Sequence, residues 1–68
     1  MNISGMTDAG ILKMYAAVRE AIEQDDQLVL AGLKPIYGVR DFSDWKDWSD
    51  LLQAELDKRG VKYTKVGW

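Results

Sequence analysis

The sequence contains no cysteine and no histidine. Without cysteine there is no disulfide, no thiolate nucleophile and no zinc site built on sulfur ligands. Without histidine the chain lacks the commonest general base and the commonest metal-binding side chain. Long apolar runs are missing too: the longest, Leu28 to Leu33, falls far short of the roughly 20 residues that a membrane span needs. The opening Met1-Asn2-Ile3-Ser4-Gly5 has neither the basic start nor the apolar stretch of a secretory leader. These absences predict a protein of a reducing compartment, the cytoplasm, with no membrane association. They also predict a protein that is not an enzyme and uses no cofactor and no small-molecule substrate.

What is present is apolar and unevenly charged. The chain of 68 residues is 47% hydrophobic, with three tryptophans and three tyrosines, which favours a packed core over disorder. A chain this short buries only about 60% of its unfolded surface, so a subunit contact is the staple left once disulfides are excluded. All 11 acidic residues lie between Met1 and Asp57 with five basic ones, a net of −6, whereas Lys58, Arg59, Lys62 and Lys65 give the tail +4. An acidic body joined to a basic tail is an electrostatic dipole, and such asymmetry is an interaction signal.

The first helix is predicted over about 8–24. Ile11, Met14, Tyr15, Val18 and Ile22 recur at three- and four-residue steps, with Lys13, Glu20 and Gln24 opposite. Thr7 is placed to cap it, and Met6 and Ile11 stand at the spacing of a hydrophobic staple. Asp25 and Asp26 suit a helix interior poorly and its negative end worse. The favoured reading therefore stops the helix there and makes 28–30 a short strand. The other reading continues to Ala31, with Gly32 left-handed, Leu33 turned back on Leu28 and Pro35 forbidding further helix. Lys34 to Val39 is a connection.

The second helix is predicted over about 42–59, capped by Asp41 or Ser43. Trp45, Trp48, Leu52 and Leu56 form its apolar stripe, widened by Phe42 and Leu51, and the two tryptophans are assigned to the core. Lys58 and Arg59 suit its negative end and Gly60 stops it. Residues 61–66, Val-Lys-Tyr-Thr-Lys-Val, read as a strand with Val61 and Tyr63 on one face and Lys62, Thr64 and Val66 on the other. The expected fold is α+β: two packed amphipathic helices with one or two short strands, about 28–30 and 61–66. An all-α helical hairpin with an extended tail is the alternative. Residues 1–6 are expected as a flexible lead-in and 7–68 as one small domain.

Few groups converge for chemistry. Asp41, Asp44, Asp47 and Asp50 recur every three residues, which rotates each carboxylate away from the last, and they match no calcium-loop register. No metal site is expected from them. Glu55, at the edge of the apolar stripe, stands four residues before Arg59 in the favourable order for an ion pair. The candidate interaction residues are Tyr37, Lys58, Arg59, Lys62, Tyr63, Lys65 and Trp68. Charges interleaved with rings are the ingredients of single-stranded nucleic-acid binding, although an acidic body repels a polyanion. The same residues serve equally for docking on an acidic protein surface, including that of a second copy, or as lysines that protect an exposed strand edge.

The order of elements between Leu12 and Leu56 resembles that of small phage head–tail joining proteins, in which a helix, a short hairpin and a second helix follow one another. The resemblance rests on order and size, and a strand after Gly60 departs from that pattern. It implies a structural phage component as one alternative, beside a nucleic-acid-associated protein. The reading drawn from the residues themselves is a non-catalytic structural or protein-interaction module, self-associating.

Overall fold

Two helices and an extended tail make up the computed structural model, which describes residues 3–68. Helix α1 spans Asp8–Leu30 and α2 spans Ser43–Arg59. At 1.5 Å per residue they are about 34 and 25 Å long. They run antiparallel: Arg59 at the end of α2 meets Asp8 at the start of α1, 2.8 Å apart, and Asp26 near the far end of α1 meets Arg40, 2.9 Å apart.

The architecture is the all-α hairpin with an extended tail, and the expected α+β fold is corrected: no strand occurs among the described residues. Residues 28–30 are helical. The helix passes through Asp25 and Asp26 because both carboxylates find partners outside it. Asp25 receives main-chain amides of the connection, and Asp26 pairs with Arg40. The helix then closes as the alternative reading describes. Gly32 adopts φ +79, the Leu33 amide bonds the Leu28 carbonyl at 2.8 Å, and the Gly32 amide bonds Val29 at 3.0 Å. This is a Schellman closure. Helix α2 ends in the same way at Gly60, φ +70, with the Val61 amide on the Leu56 carbonyl at 3.0 Å.

Residues 61–66 are extended but form no strand, because a ladder needs a neighbouring strand and 28–30 does not supply one. The alternation expected there also fails. Val61 and Tyr63 are half-buried, but it is Val66, assigned to the opposite face, that is buried.

The helix starts divide. The Thr7 hydroxyl accepts from the Gly10 amide at 3.1 Å, the expected cap. The cap position of α2 is Phe42, with no side-chain hydrogen bond, so neither Asp41 nor Ser43 caps it; each stands one residue out of register. The chain enters α2 from a turn in which the amides of Asp41 and Phe42 both bond the Gly38 carbonyl.

Ile11, Tyr15, Val18, Ala21 and Ile22 of α1 bury their side chains against Leu52 and Leu56 of α2, with Val39, Val66 and Ile3 closing the edges. Ser49 is fully buried and bonds the Lys46 carbonyl at 2.9 Å, leaving a small side chain with its polar atom satisfied inside the apolar interior. Ile3–Gly5 forms a single 3-10 turn packed on α2. The lead-in expected over 1–6 falls partly on residues 1–2, outside the described residues. No helix is long and apolar enough to cross a membrane among the described residues.

Candidate interaction surface

An antiparallel pair of helices leaves two grooves, one on each flank. At 3.6 residues per turn, Tyr15, Arg19, Ile22 and Asp26 lie along one edge of the buried stripe of α1, and Met14, Ala17, Ala21 and Gln24 along the other. The tail fills the first flank and leaves the second open.

Side chains of the body fasten the tail. Tyr15 donates its hydroxyl to Gln53 Oε1 at 3.0 Å and accepts from the buried Val66 amide at 2.9 Å. Arg19 donates to the Thr64 carbonyl at 3.0 Å. Arg40, clamped by both oxygens of Asp26, also donates to the Gly67 and Trp68 carbonyls. The hydrogen bond from Arg40 holds the Asp26 carboxyl below its usual range.

The connection at the far end of the hairpin is organised by Asp25, which is 3% exposed. Its Oδ1 accepts from the amides of Ile36 and Tyr37 and its Oδ2 from Val39, each at 3.0 Å. Burial acts to raise its pKa, but the amides of Tyr37, Val39, Ile36 and Gly38 together outweigh burial and leave it below the usual carboxylate range. Gly38, φ +69, is needed twice over: a Cβ there would stand 2.7 Å from the Phe42 ring.

Around this rigid connection the surface is strongly apolar. Val29, Leu30, Leu33 and Ile36 are 56, 81, 60 and 71% exposed. Beside them, on the open flank, lies a groove of about 410 Å³ lined by Met14, Ala17, Ala21, Tyr37, Trp45 and Trp48. Glu20 and Gln24 edge it on the α1 side, and Asp44 adjoins the two tryptophans on the α2 side. The Ile3–Gly5 turn packs on α2, where Arg59 holds the carbonyls of Ile3 and Ser4.

The candidate interaction residues are scattered over these features. Arg59 donates to Glu55, Asp8 and the carbonyls of Ile3, Ser4 and Met6, so it ties the first turn to both helices. The hydrogen bonds to Asp8 and Glu55 raise its pKa further. Glu55 is its partner at 2.9 Å, the pair expected from their spacing. Tyr63 stands edge-on to Tyr15 with centroids 5.2 Å apart and donates to Asp57 at 2.7 Å. That bond first, then burial, pushes its pKa up to about 12. Tyr37 donates to Gln24 at 3.2 Å and stands edge-on to Trp45. Trp68, 40% exposed, reaches the side of Phe42 and Arg40 in a shallow hollow. Lys58, Lys62 and Lys65 are exposed, and none has an ion-pair partner among the described residues.

No three acids lie close enough together among the described residues to hold a metal ion. The aliphatic cluster and the tryptophan groove are the residues that sequence reasoning missed. Trp45 and Trp48, read as core, do pack against it but stay half-buried, and Leu33, read as packing on Leu28, stays mostly exposed. The signal for the cluster was the apolar run from Leu28 to Leu33, which exceeds what one helix end can bury. Compared with protein-family models, curated proteins and solved structures, the chain finds no match.

Proposed function

We propose that this chain is a non-catalytic protein-interaction module that self-associates through the free end of its hairpin. The observation that carries the reading is the cluster Val29, Leu30, Leu33 and Ile36, held out in solvent at a connection that Asp25 fixes through the amides of Ile36, Tyr37 and Val39. Weighted by exposure, the four equal between two and three fully exposed aliphatic side chains, worth about 4–8 kcal/mol if buried. A two-fold contact buries the same patch on both copies. Set against an association cost of about 4–15 kcal/mol, this supports weak assembly, in the micromolar to millimolar range.

The shape points the same way. The accessible surface is 4764 Å², against about 4,300 Å² for a compact monomer of this mass. The radius of gyration is 12.9 Å, against about 11 Å. An elongated body with excess surface gains from a second copy.

Light scattering across a wide concentration range tests the proposal. Mass should rise above 7.7 kDa with concentration and stay high in strong salt, and Leu30→Glu should return it to monomer. A monomer at millimolar concentration rejects self-association. Dissociation by salt would instead trace assembly to the acidic body and basic tail.

A second reading, association with single-stranded nucleic acid, draws support from Lys58 at the end of α2 and Lys62 and Lys65 in the tail, none of which has an ion-pair partner among the described residues. Lys62→Glu with Lys65→Glu should then abolish a salt-sensitive shift of a labelled oligonucleotide. No shift by the wild type at low salt removes this reading.

A further inference from the structure

The open flank carries a different surface from the hairpin end. Its groove has two tryptophans and Tyr37 on one wall and the small side chains Ala17 and Ala21 on the other, with Met14 at its lower end. Small residues let a third backbone approach closely, and a methionine adapts to whatever packs on it. From Met14 to Gln24 the floor is about 15 Å long, roughly three helical turns.

The rim has one sign of charge. Glu20 edges the groove from α1, Asp44 stands beside the same two tryptophans in an adjoining hollow on α2, and neither acid has an ion-pair partner among the described residues. No lysine or arginine is among the side chains that line it. The opposite flank is already covered, by an extended segment of the chain itself. There the basic tail lies along the helices, with Val61, Tyr63 and Val66 inward and Lys62 and Lys65 outward.

We propose that the groove between α1 and α2, on the flank away from the tail, binds a short amphipathic helix of another protein whose apolar face is bordered by lysine or arginine. Apolar residues at three- and four-residue steps on that helix fill the space between the tryptophans and the alanines, in the helix-in-groove mode. The basic residues meet Glu20 and Asp44 and lie over the indole faces, which attract cations. The bound state is a three-helix bundle completed from outside. The surface shares no residue with Val29, Leu30, Leu33 and Ile36, so it stands or falls separately from self-association.

The probes are three synthetic peptides of about 14 residues, long enough to cover the floor: leucines on one helical face with lysines elsewhere, the same composition scrambled, and leucines with glutamates. The protein carries Leu30→Glu, which keeps it monomeric if the hairpin end self-associates, and Trp68→Phe, which leaves Trp45 and Trp48 as the only reporters. The patterned leucine–lysine peptide should bind saturably, one per chain, with a blue shift of tryptophan emission. Its affinity should exceed that of the other two by at least about tenfold. Ala17→Glu, which fills the groove while making it more acidic, should weaken binding by a similar factor; so should Glu20→Lys with Asp44→Lys. Circular dichroism of each variant confirms that the hairpin is intact. Equal binding of scrambled and patterned peptides, binding indifferent to Ala17→Glu, or no saturable binding up to millimolar peptide would each overturn the proposal.

Discussion

Removing one oxygen atom, in Tyr15→Phe, should loosen the tail without disturbing the core. The ring of Tyr15 is buried between the helices and stands edge-on to Tyr63, and phenylalanine keeps that packing. What is lost is a hydroxyl with two partners, Gln53 at 3.0 Å and the Val66 amide at 2.9 Å. The two losses are unequal. Gln53 is half-buried and can turn its amide toward water, whereas the Val66 amide is buried and keeps no acceptor. An orphaned buried group costs about 1–3 kcal/mol. A chain of 68 residues has a total stability of about 3–10 kcal/mol, so the loss is a large share, and the melting temperature should drop by between about 4 and 20 °C. The assay is thermal unfolding by circular dichroism, with amide hydrogen exchange at Val66 as the local readout. Gln53→Ala is the control: it removes one hydrogen bond but leaves the Val66 amide satisfied, and should cost less than Tyr15→Phe. A Tyr15→Phe variant that melts within about 1 °C of the wild type, with Val66 exchange unchanged, would refute the idea that this hydroxyl anchors the tail.

Gly38→Ala should cost about 1–3 kcal/mol, since it meets both a positive φ and the Phe42 ring. Gly60→Ala, with a similar φ of +70 but open space around its Cβ, should cost less in urea titrations; equal losses would dismiss the ring contact. Tyr63 has its folded pKa raised from 10.0 to about 12, so its bond to Asp57 stabilises fully below about pH 10 and is lost as pH climbs toward 12. Tyr63→Phe should therefore flatten that part of an alkaline unfolding curve, and an unchanged slope would reject the bond. Asp25 and Asp26 have folded pKa values below normal, so their stabilisation is present above about pH 4 and fades as pH falls through the folded values. Asp25→Asn should lower stability at neutral pH and make the acid limb shallower, read by denaturation at stepped pH.

Both helices were legible because local rules suffice for them. Thr7 caps the Gly10 amide three residues on, the stripe from Trp45 to Leu56 has helical spacing, and Gly60 closes α2 by its own backbone freedom. The end of α1 was misread because the partners of Asp25 and Asp26 lie far along the chain, in the amides of 36–39 and in Arg40. Judged alone, two aspartates break a helix; supplied with amides and a guanidinium, they do not. Residues 61–66 have the composition of a strand, but composition does not reveal whether a partner strand exists. The pairing of Glu55 with Arg59 could be read from a spacing of four. The hold of Arg59 on Ile3, Ser4 and Met6 could not, since carbonyls leave no mark in a sequence. The tryptophan groove stayed hidden for a related reason: spacing shows which side of a helix is apolar, not how much of that side a single partner covers.

The way the tail is fastened redistributes which positions are free to vary. In a sheet, main chain meets main chain and the holding power belongs to neither sequence. Here the tail's main chain offers carbonyls and an amide to side chains of the body, Tyr15, Arg19 and Arg40, and of its own side chains only Val61, Tyr63 and Val66 pack inward. Residues such as Lys62, Thr64 and Lys65 can therefore drift with little consequence for the hold itself, while changes dozens of residues upstream release the whole segment. The tail is a surface whose chemistry can be rewritten over time without rebuilding its mount.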